Sequence, residues 1–358
     1  MSQSCFEFDP LAADACDRSA FEIGWDHAHH GLVPPPELLL DGTPLGQGWR
    51  AGRAVFGRRT LAASRPVRDW LALRTLAWKR GIAFEGNLVG ANYLAQLDAS
   101  HCPVTRAPLG GAPGSVDAAR IARLNPGAGF AAGNLALLSV GAARSMAGLD
   151  ARSALRRAAR VDAGIEAARE GESPASAWRL AVLMSFVTPL PFAEAARIPL
   201  RVLPPNRVRL LNAVQGLQAL VTLQFAAPGW SPRLRAIADL LPEPELRHDF
   251  NLVVGAIAPR LLEADSQRVR QALEDAWADA RVLRRWQQFV FALGEAATAR
   301  LLERAAALGG VRTLVHETAQ ATEGWALATR GRVAAPTPLR RARRPLPRPD
   351  QAGATLRG

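Results

Sequence analysis

The distribution of apolar residues changes near residue 150, and the two parts of the chain predict different structures. Beyond Asp150, apolar residues recur every three or four positions, which is typical of amphipathic helices that bury one face. Gly294 is the expected break in the longest periodic stretch, which contains no proline. The pattern predicts helices over residues 151–168, 207–225 and 266–308.

The first 150 residues predict shorter elements, which glycine and proline separate. One helix is predicted to begin at Pro66, because proline fits the first helical turn, and to end at Gly81. A shorter helix is predicted over residues 91–97. Apolar and non-apolar residues alternate over residues 21–25, and this alternation predicts a strand that leads into a group of histidines.

Two short apolar runs separated by glycine-containing turns predict a small ββα unit. Residues 121–124 and 135–139 are expected to pair as antiparallel strands, because Gly129–Phe130 and Gly133–Asn134 between them are turn signals. The small residues over 140–147 then predict a helix packed across the strands. Together these patterns predict an α+β fold that is predominantly α-helical.

Charge sets a third segment apart from the rest of the chain. The formal charge is +12 at pH 7, nearly all of it from arginine, and Lys79 is the only lysine. From Arg330 onward there are eight arginines, five prolines and a single acid, Asp350. Such a segment buries too little apolar surface to offset its ordering entropy, so it is expected to be disordered. The predicted organisation is an N-terminal region over 1–150, an all-helical domain over 151–330 and a disordered Arg/Pro-rich tail over 331–358.

Residues 101–148, which include the predicted ββα unit, carry a recognisable set of motifs. A Cys102–Pro103–Val104–Thr105 knuckle precedes the strands, and Gly133–Asn134–Leu135 introduces the second strand, which runs to Ser139. In this order and spacing, the segment resembles the HNH (ββα-metal) endonuclease family, particularly phage and bacterial members that lack the zinc cysteines. The resemblance is confined to these residues.

The resemblance implies a divalent metal, Mg²⁺ or Mn²⁺, that stabilises charge on the scissile phosphate. The family motif places the metal-site carboxylate, amide and amine at Ala122, Ala143 and Met146 of this sequence, and none of these side chains suits a hard cation. The resemblance therefore implies a fold retained without catalysis and without a cofactor. The alternative is an active nuclease in which Asp117, in a register shifted by five residues, and Asn134 are the catalytic candidates.

The densest group of possible metal ligands is Asp26–His27–Ala28–His29–His30. On the predicted strand, His27 and His29 would share one face, and imidazole suits zinc, nickel or copper. His27, His29 and His30 are therefore candidate metal ligands. A strand edge that carries interfacial histidines is the alternative interpretation, and the sequence leaves both open.

Arginines of the ββα unit and of the tail are candidate contacts for nucleic-acid phosphates. A further set, which includes Arg65 and Arg80, surrounds Trp70 and Trp78, and there a helical core with solvated arginines is the alternative. The candidate nucleic-acid-binding residues are Arg106, Arg120, Arg123, Arg340, Arg341, Arg343 and Arg344.

The sequence as a whole predicts a non-catalytic, nucleic-acid-associated protein derived from an HNH-type nuclease. Besides the active nuclease, the alternative is a helical protein-interaction or scaffold protein that binds a partner through residues 266–308. Residues 1–16 contain three acids and no apolar core, which excludes a secretory signal, and the apolar stretch 180–192 is too short to span a bilayer. Three widely spaced cysteines provide no disulfide framework. A cytoplasmic protein without a membrane partner is expected.

Overall fold

The structure is a computed structural model that describes residues 10–112, 114–169, 171–226, 228–262 and 269–308. The fold is α+β and predominantly α-helical, with one two-stranded antiparallel sheet in this part of the chain. The elements, in order, are α1 (Pro10–His29), a 3-10 turn (Pro36–Leu38), α2 (Pro44–Phe56), α3 (Arg65–Lys79), α4 (Ala91–Ala95), β1 (Ala119–Arg123), β2 (Leu135–Ser139), α5 (Val140–Ser145), α6 (Ala151–Asp162), α7 (Pro174–Phe186), α8 (Phe192–Ala195), α9 (Ala213–Gln224), α10 (Trp230–Ala238), α11 (Pro244–Leu262), α12 (Val269–Ala276), α13 (Ala280–Leu293) and α14 (Glu295–Ala307).

The predicted ββα order is confirmed. Strand β1 pairs with β2 in an antiparallel register that places Ile121 opposite Leu137. The chain passes directly from β2 into α5, because the Ser139 hydroxyl caps the helix by accepting a hydrogen bond from the backbone N–H of Ala142 at 3.2 Å. The turn signals therefore located the strands to within about two residues of their observed ends.

The buried side chain of Asn134 organises the loop between the two strands. Its Oδ1 accepts a hydrogen bond from the backbone N–H of Asn125 at 2.8 Å, and its Nδ2 donates to the carbonyl oxygens of Asn125 and Gly129 at 3.1 and 3.0 Å. The side chain is fully buried. Because every one of these partners is a backbone group, Asn134 fixes the path of the chain from β1 to β2.

The knuckle that precedes the strands is a tight hairpin joined to the end of the sheet. The backbone N–H of Cys102 donates to the Ala107 carbonyl at 2.8 Å, and that of Arg106 donates to the Cys102 carbonyl at 2.8 Å. The buried Cys102 Sγ accepts a hydrogen bond from the backbone N–H of Ser139 at 3.3 Å. Burial raises the pKa of the Cys102 thiol, but hydrogen bonds to its sulfur from Thr105 and Ser139 outweigh burial, and the net result is a lowered pKa. Cys102 thus connects the knuckle to the junction of β2 and α5.

The strand predicted over residues 21–25 is wrong, because these residues lie in α1. On a helix, Phe21 and Trp25 stand four positions apart on one face, and their rings stack with centroids 6.4 Å apart. Ile23 and His27 lie four positions apart on another face and are buried. Apolar residues at alternate positions therefore occupy two faces of one helix rather than one face of a strand.

Several predicted helices are shorter than the periodicity indicated, since local capping and turn chemistry end them. The helix expected over 151–168 ends at Asp162, and the one expected over 207–225 begins only at Ala213 after a left-handed Arg207 (φ 64°). The described part of the stretch 266–308, residues 269–308, contains three helices. One break is at Gly294, as predicted, and the other precedes α13, where the Asp279 carboxylate caps the helix by accepting from the N–H of Arg281 at 2.7 Å.

The sheet lies between two hydrophobic clusters, and each cluster contacts one set of helices. One cluster joins Leu135 and Phe130 of the unit to Leu73 of α3. The other joins Leu124 and Leu138 to the helices from α6 onward. This second cluster includes residues on both sides of residue 150, where Asp150 forms the N-terminal cap of α6.

Helices α1 and α2 pack in close contact because glycines remove side chains from their interface. A Cβ atom on Gly24 would lie 2.0 Å from the carbonyl oxygen of Leu45, and one on Gly48 would lie 2.0 Å from the carbonyl oxygen of Phe21. The backbones of the two helices therefore approach as closely as they do only because both residues are glycine.

Replacing Gly48 by alanine is expected to destabilise the protein by about 1–3 kcal/mol, despite the better helix propensity of alanine, because the new methyl group forces the two helices apart. Urea unfolding followed by circular dichroism measures the change. The control is Gly86→Ala, because no atom lies within 4 Å of a Cβ built on Gly86. Equal stability of Gly48→Ala and wild type would contradict this account of the interface.

Candidate functional site

A groove runs along the free edge of β1, between α3 and α5. It encloses about 500 Å³, and all five residues of β1 line it. Among the residues that the structure describes, β1 pairs with β2 alone, so its other edge is open to the groove. The floor is apolar and the rim is charged. The floor includes Leu73, Leu76, Ile82, Ile121, Ala122, Phe130, Leu137, Ala143 and Met146, and the rim includes Arg65, Asp69, Arg80, Arg120, Arg123 and Arg144. We call this feature the arginine groove.

Most of the positive charge at the rim is not neutralised by neighbouring acids. The side chains of Arg80, Arg120 and Arg144 are exposed and make no hydrogen bond or ion pair with any other residue that the structure describes. Asp69 is the one acid among the described residues that line the groove, and its carboxylate lies 3.8 Å from the Nε of Arg65. Three free guanidinium groups therefore converge on one concave surface, which creates a local positive potential.

Arg123 differs from the other rim arginines because its position is fixed. It donates hydrogen bonds to the carbonyl oxygens of Ala128 at 2.6 Å and Pro126 at 3.2 Å, and its guanidinium lies 5.0 Å from the centre of the Phe130 ring. Burial and, secondarily, the like charge of Arg80 lower the pKa of the Arg123 guanidinium. A bound anion would relieve this crowding of positive charge.

The three positions that the HNH resemblance assigns to the metal site all lie in this groove. Ala122 of β1, Ala143 of α5 and Met146, which follows α5, line it together. The fold thus places three residues, separated by up to 24 positions in the chain, on one surface. None of them carries an oxygen or nitrogen ligand, so these positions do not fit a Mg²⁺ or Mn²⁺ ion.

The two residues considered for an active nuclease do not meet in the groove. Asp117 is exposed and precedes β1, outside the residues that line the groove. Asn134 is fully buried, and its amide is occupied by the loop hydrogen bonds described above. The geometry assigns Asn134 a structural function rather than contact with a ligand.

The candidate arginines of the ββα unit divide into two groups. Arg120 and Arg123 line the groove. Arg106 lies elsewhere, and its guanidinium forms a bidentate pair with Asp275 at 2.7 and 2.9 Å and a contact with Glu274 at 3.0 Å. Arg106 therefore ties the knuckle to α12, and its charge is compensated within the protein.

Sequence reasoning missed Arg144, which is the groove arginine contributed by α5. For Arg65 and Arg80, the sequence left open a nucleic-acid surface or a helical core with solvated arginines. Both residues lie at the rim, one near each end of α3. Helical spacing carried part of the signal, since Arg65, Asp69, Leu76 and Arg80 recur at intervals that place them along one side of α3. Nothing in the sequence indicated that this side faces β1.

The histidines expected on a strand lie at the end of α1 instead, and the structure does not gather them into a ligand set. The Nδ1 of His27 hydrogen-bonds to the Ile23 carbonyl at 2.8 Å, and the ring of His29 stacks on Phe56 with centroids 4.3 Å apart. His30 has a buried Nδ1 that finds no hydrogen-bond partner among the described residues. Within the described ranges, no three His, Cys, Asp or Glu side chains are placed to hold a metal ion.

Burial of His27 predicts a pH dependence of stability. Desolvation lowers the pKa of the folded imidazole below its ordinary value of 6.5, so the unfolded chain takes up the proton first as the pH falls. The contribution of His27 to stability is therefore complete above about pH 6.5 and declines as the pH drops below it. Chemical unfolding between about pH 7.5 and 5.5 should show a steeper loss for wild type than for His27→Gln, and parallel curves would contradict the prediction.

Two further sequence predictions concern other parts of the chain. Arg340, Arg341, Arg343 and Arg344, with the rest of the tail, lie outside the described residues. Among the helices that the structure does describe, none combines the length and apolar character needed to cross a membrane.

The chain was compared with protein families, curated proteins and solved structures. No family model, no curated protein and no solved structure matches it.

Proposed function

We propose that this protein binds nucleic acid in the arginine groove and does not cleave it. The observation that carries the proposal is the convergence of Arg80, Arg120 and Arg144, all exposed and unpaired within the described structure, on one concave surface. Phosphate groups neutralise such charges, and the release of counterions from the nucleic acid supplies the binding free energy.

The position of the groove supports the same proposal. It lies along β1 and α5, which are the elements that the resemblance to HNH endonucleases assigns to contact with the scissile phosphate. Ala122, Ala143 and Met146 replace the groups that this chemistry needs, so the groove keeps a basic rim above an apolar floor. A surface of this composition binds a phosphodiester through charge and supplies no activated water or metal to attack it.

The direct test is fluorescence anisotropy of a labelled oligonucleotide titrated with the full-length protein at several salt concentrations. Binding should weaken steeply with salt, with a slope of about 0.7–0.9 in log–log form for each phosphate contact. An acidic poly-glutamate peptide serves as the competitor of different chemistry. Tight binding of that peptide, together with no binding of oligonucleotides, would replace the proposal by a protein-interaction function.

We also expect no cleavage. Purified protein incubated with supercoiled plasmid or single-stranded DNA in Mg²⁺, Mn²⁺ or Ni²⁺ should produce no nicks, because the groove residues that replace the metal site hold no cation. Gel electrophoresis over several hours measures this. The matched variant is Asp117→Ala: cleavage by wild type that disappears in this variant would show that the register shifted by five residues is active.

A further inference from the structure

A second basic concavity adjoins the arginine groove. It encloses about 410 Å³ and has an excess of arginine over acid. Gly148 lines the arginine groove and Leu149 lines this concavity, so the two meet at consecutive residues of the chain. The concavity is lined by Leu149, Ser153, Arg156, Arg157, Arg160, Glu166, Ala167 and Arg169.

Within this second concavity, the arginines serve different purposes. Arg157 is held by a bidentate pair with Glu172 at 2.7 and 2.8 Å, and Arg169 donates to the carbonyl oxygen of Ser145 at the end of α5. Arg156 is exposed and makes no hydrogen bond or ion pair with another described residue. Arg157 and Arg169 are thus part of the structure of the concavity, and Arg169 connects it to α5. The charge of Arg156 stays available to a ligand.

The arginine groove has features that distinguish a single strand from a duplex. A duplex presents phosphates on its outside and keeps its bases stacked inside, so its base faces make no contact with an apolar floor. An unpaired strand needs both a cationic rim for its backbone and an apolar or flat surface for its bases. The floor supplies Leu76, Ile121 and Met146, and the guanidinium of Arg123, which its carbonyl partners fix in place, is a planar group of the kind on which bases stack.

We infer that the ligand is a single-stranded nucleic acid, whose bases lie on the floor of the arginine groove and whose backbone continues past Gly148–Leu149 to Arg156. The inference rests on the proposed function, since it names the ligand of the same groove. All the cationic groups on this path are arginines, which combine phosphate binding with stacking on bases. Strands of RNA and of DNA both carry these phosphates and bases, so the experiment below compares the two.

The experiment compares oligo-dT and oligo-U of about 12 nucleotides with a hairpin duplex of equal length, all by anisotropy with the full-length protein. We expect at least one of the single strands to bind about tenfold tighter than the duplex, with a salt slope of about 0.7 per phosphate contact. Equal or tighter binding of the duplex would overturn the inference and leave the proposed function standing. Failure of all three probes to bind would remove the proposed function itself, and the inference with it.

A second arm tests the continuous path. Arg156→Gln should weaken binding of the strand of about 12 nucleotides by about fivefold. Binding of a strand of about 4 nucleotides should be unaffected, because the short strand occupies the arginine groove alone. Arg152→Gln is the matched control, since Arg152 is an exposed arginine of the same helix that pairs with Glu194 at 3.1 Å and lines neither concavity. An equal loss for both lengths, or for neither, would show that the path does not extend to Arg156.

Discussion

Replacing Asn134 by alanine is expected to lower the free energy of unfolding by roughly 3–5 kcal/mol, because three backbone groups of the β1–β2 loop lose their partner at once. The buried amide of Asn134 is the side-chain partner of the N–H of Asn125 and of the carbonyl oxygens of Asn125 and Gly129, and an alanine side chain offers them no hydrogen bond. The loop should then lose its fixed path, and the turn that places β1 against β2 should loosen.

Urea unfolding of the variant measures this loss, and hydrogen exchange of the β1 amides locates it. Asn251→Ala is the control, because Asn251 is exposed on α11 and its replacement should change stability by less than about 0.5 kcal/mol. A change at Asn134 no larger than that at Asn251 would show that the loop does not depend on the amide. It would also reopen a ligand-binding function for that residue.

The triple variant Arg80→Gln, Arg120→Gln, Arg144→Gln is expected to bind single-stranded oligonucleotides about 100-fold more weakly than wild type at about 0.1 M salt. Three lost phosphate contacts, each worth about 0.7 in the log–log salt slope, should lower the slope by about 2. If the two affinities coincide near 1 M salt, where such contacts contribute little, this change in slope amounts to about 100-fold at about 0.1 M. The fold should be retained, because these three side chains are exposed and make no hydrogen bond or ion pair with other described residues.

The matched control removes the same charge elsewhere. Arg281, Arg284 and Arg285 lie together on α13, and the triple substitution to glutamine there changes the net charge equally. We expect this control to lose less than about threefold in affinity, which is what a general loss of long-range attraction produces. Equal losses in the two triple variants would mean that net charge, rather than the arginine groove, accounts for binding.

The sequence predicted the ββα unit well because its signals are local. Gly133 and Asn134 favour a turn through their own conformational preferences. The apolar residues of β2 that follow this turn pair with a single strand, β1, that is close in the sequence. The same local reasoning failed at residues 21–25. There the alternation of apolar residues fits a strand, but the residues are helical, and tertiary contacts such as the close packing of Gly24 and Gly48 across the α1–α2 interface favour the helix.

The site was predicted only in part, since a groove is a tertiary feature. Ala122, Ala143 and Met146 were brought to one place by counting along a family motif, and the structure places all three at the groove. Helix α3 forms the wall of the groove opposite β1. No local sequence pattern indicates that Arg65 and Arg80 face β1. Arg106 shows the converse error, because sequence cannot tell that Asp275, far along the chain, neutralises its charge.

Photo-crosslinking of a 5-iodouracil-substituted oligonucleotide to the full-length protein, followed by peptide mass spectrometry, locates the bound strand most directly. If nucleic acid occupies the arginine groove, the crosslinked peptides should contain β1 or the segment 143–146, and the Arg80, Arg120, Arg144 triple variant should lose those crosslinks. Crosslinks confined to α13 or to the tail over 331–358, unchanged in the triple variant, would contradict binding in the groove.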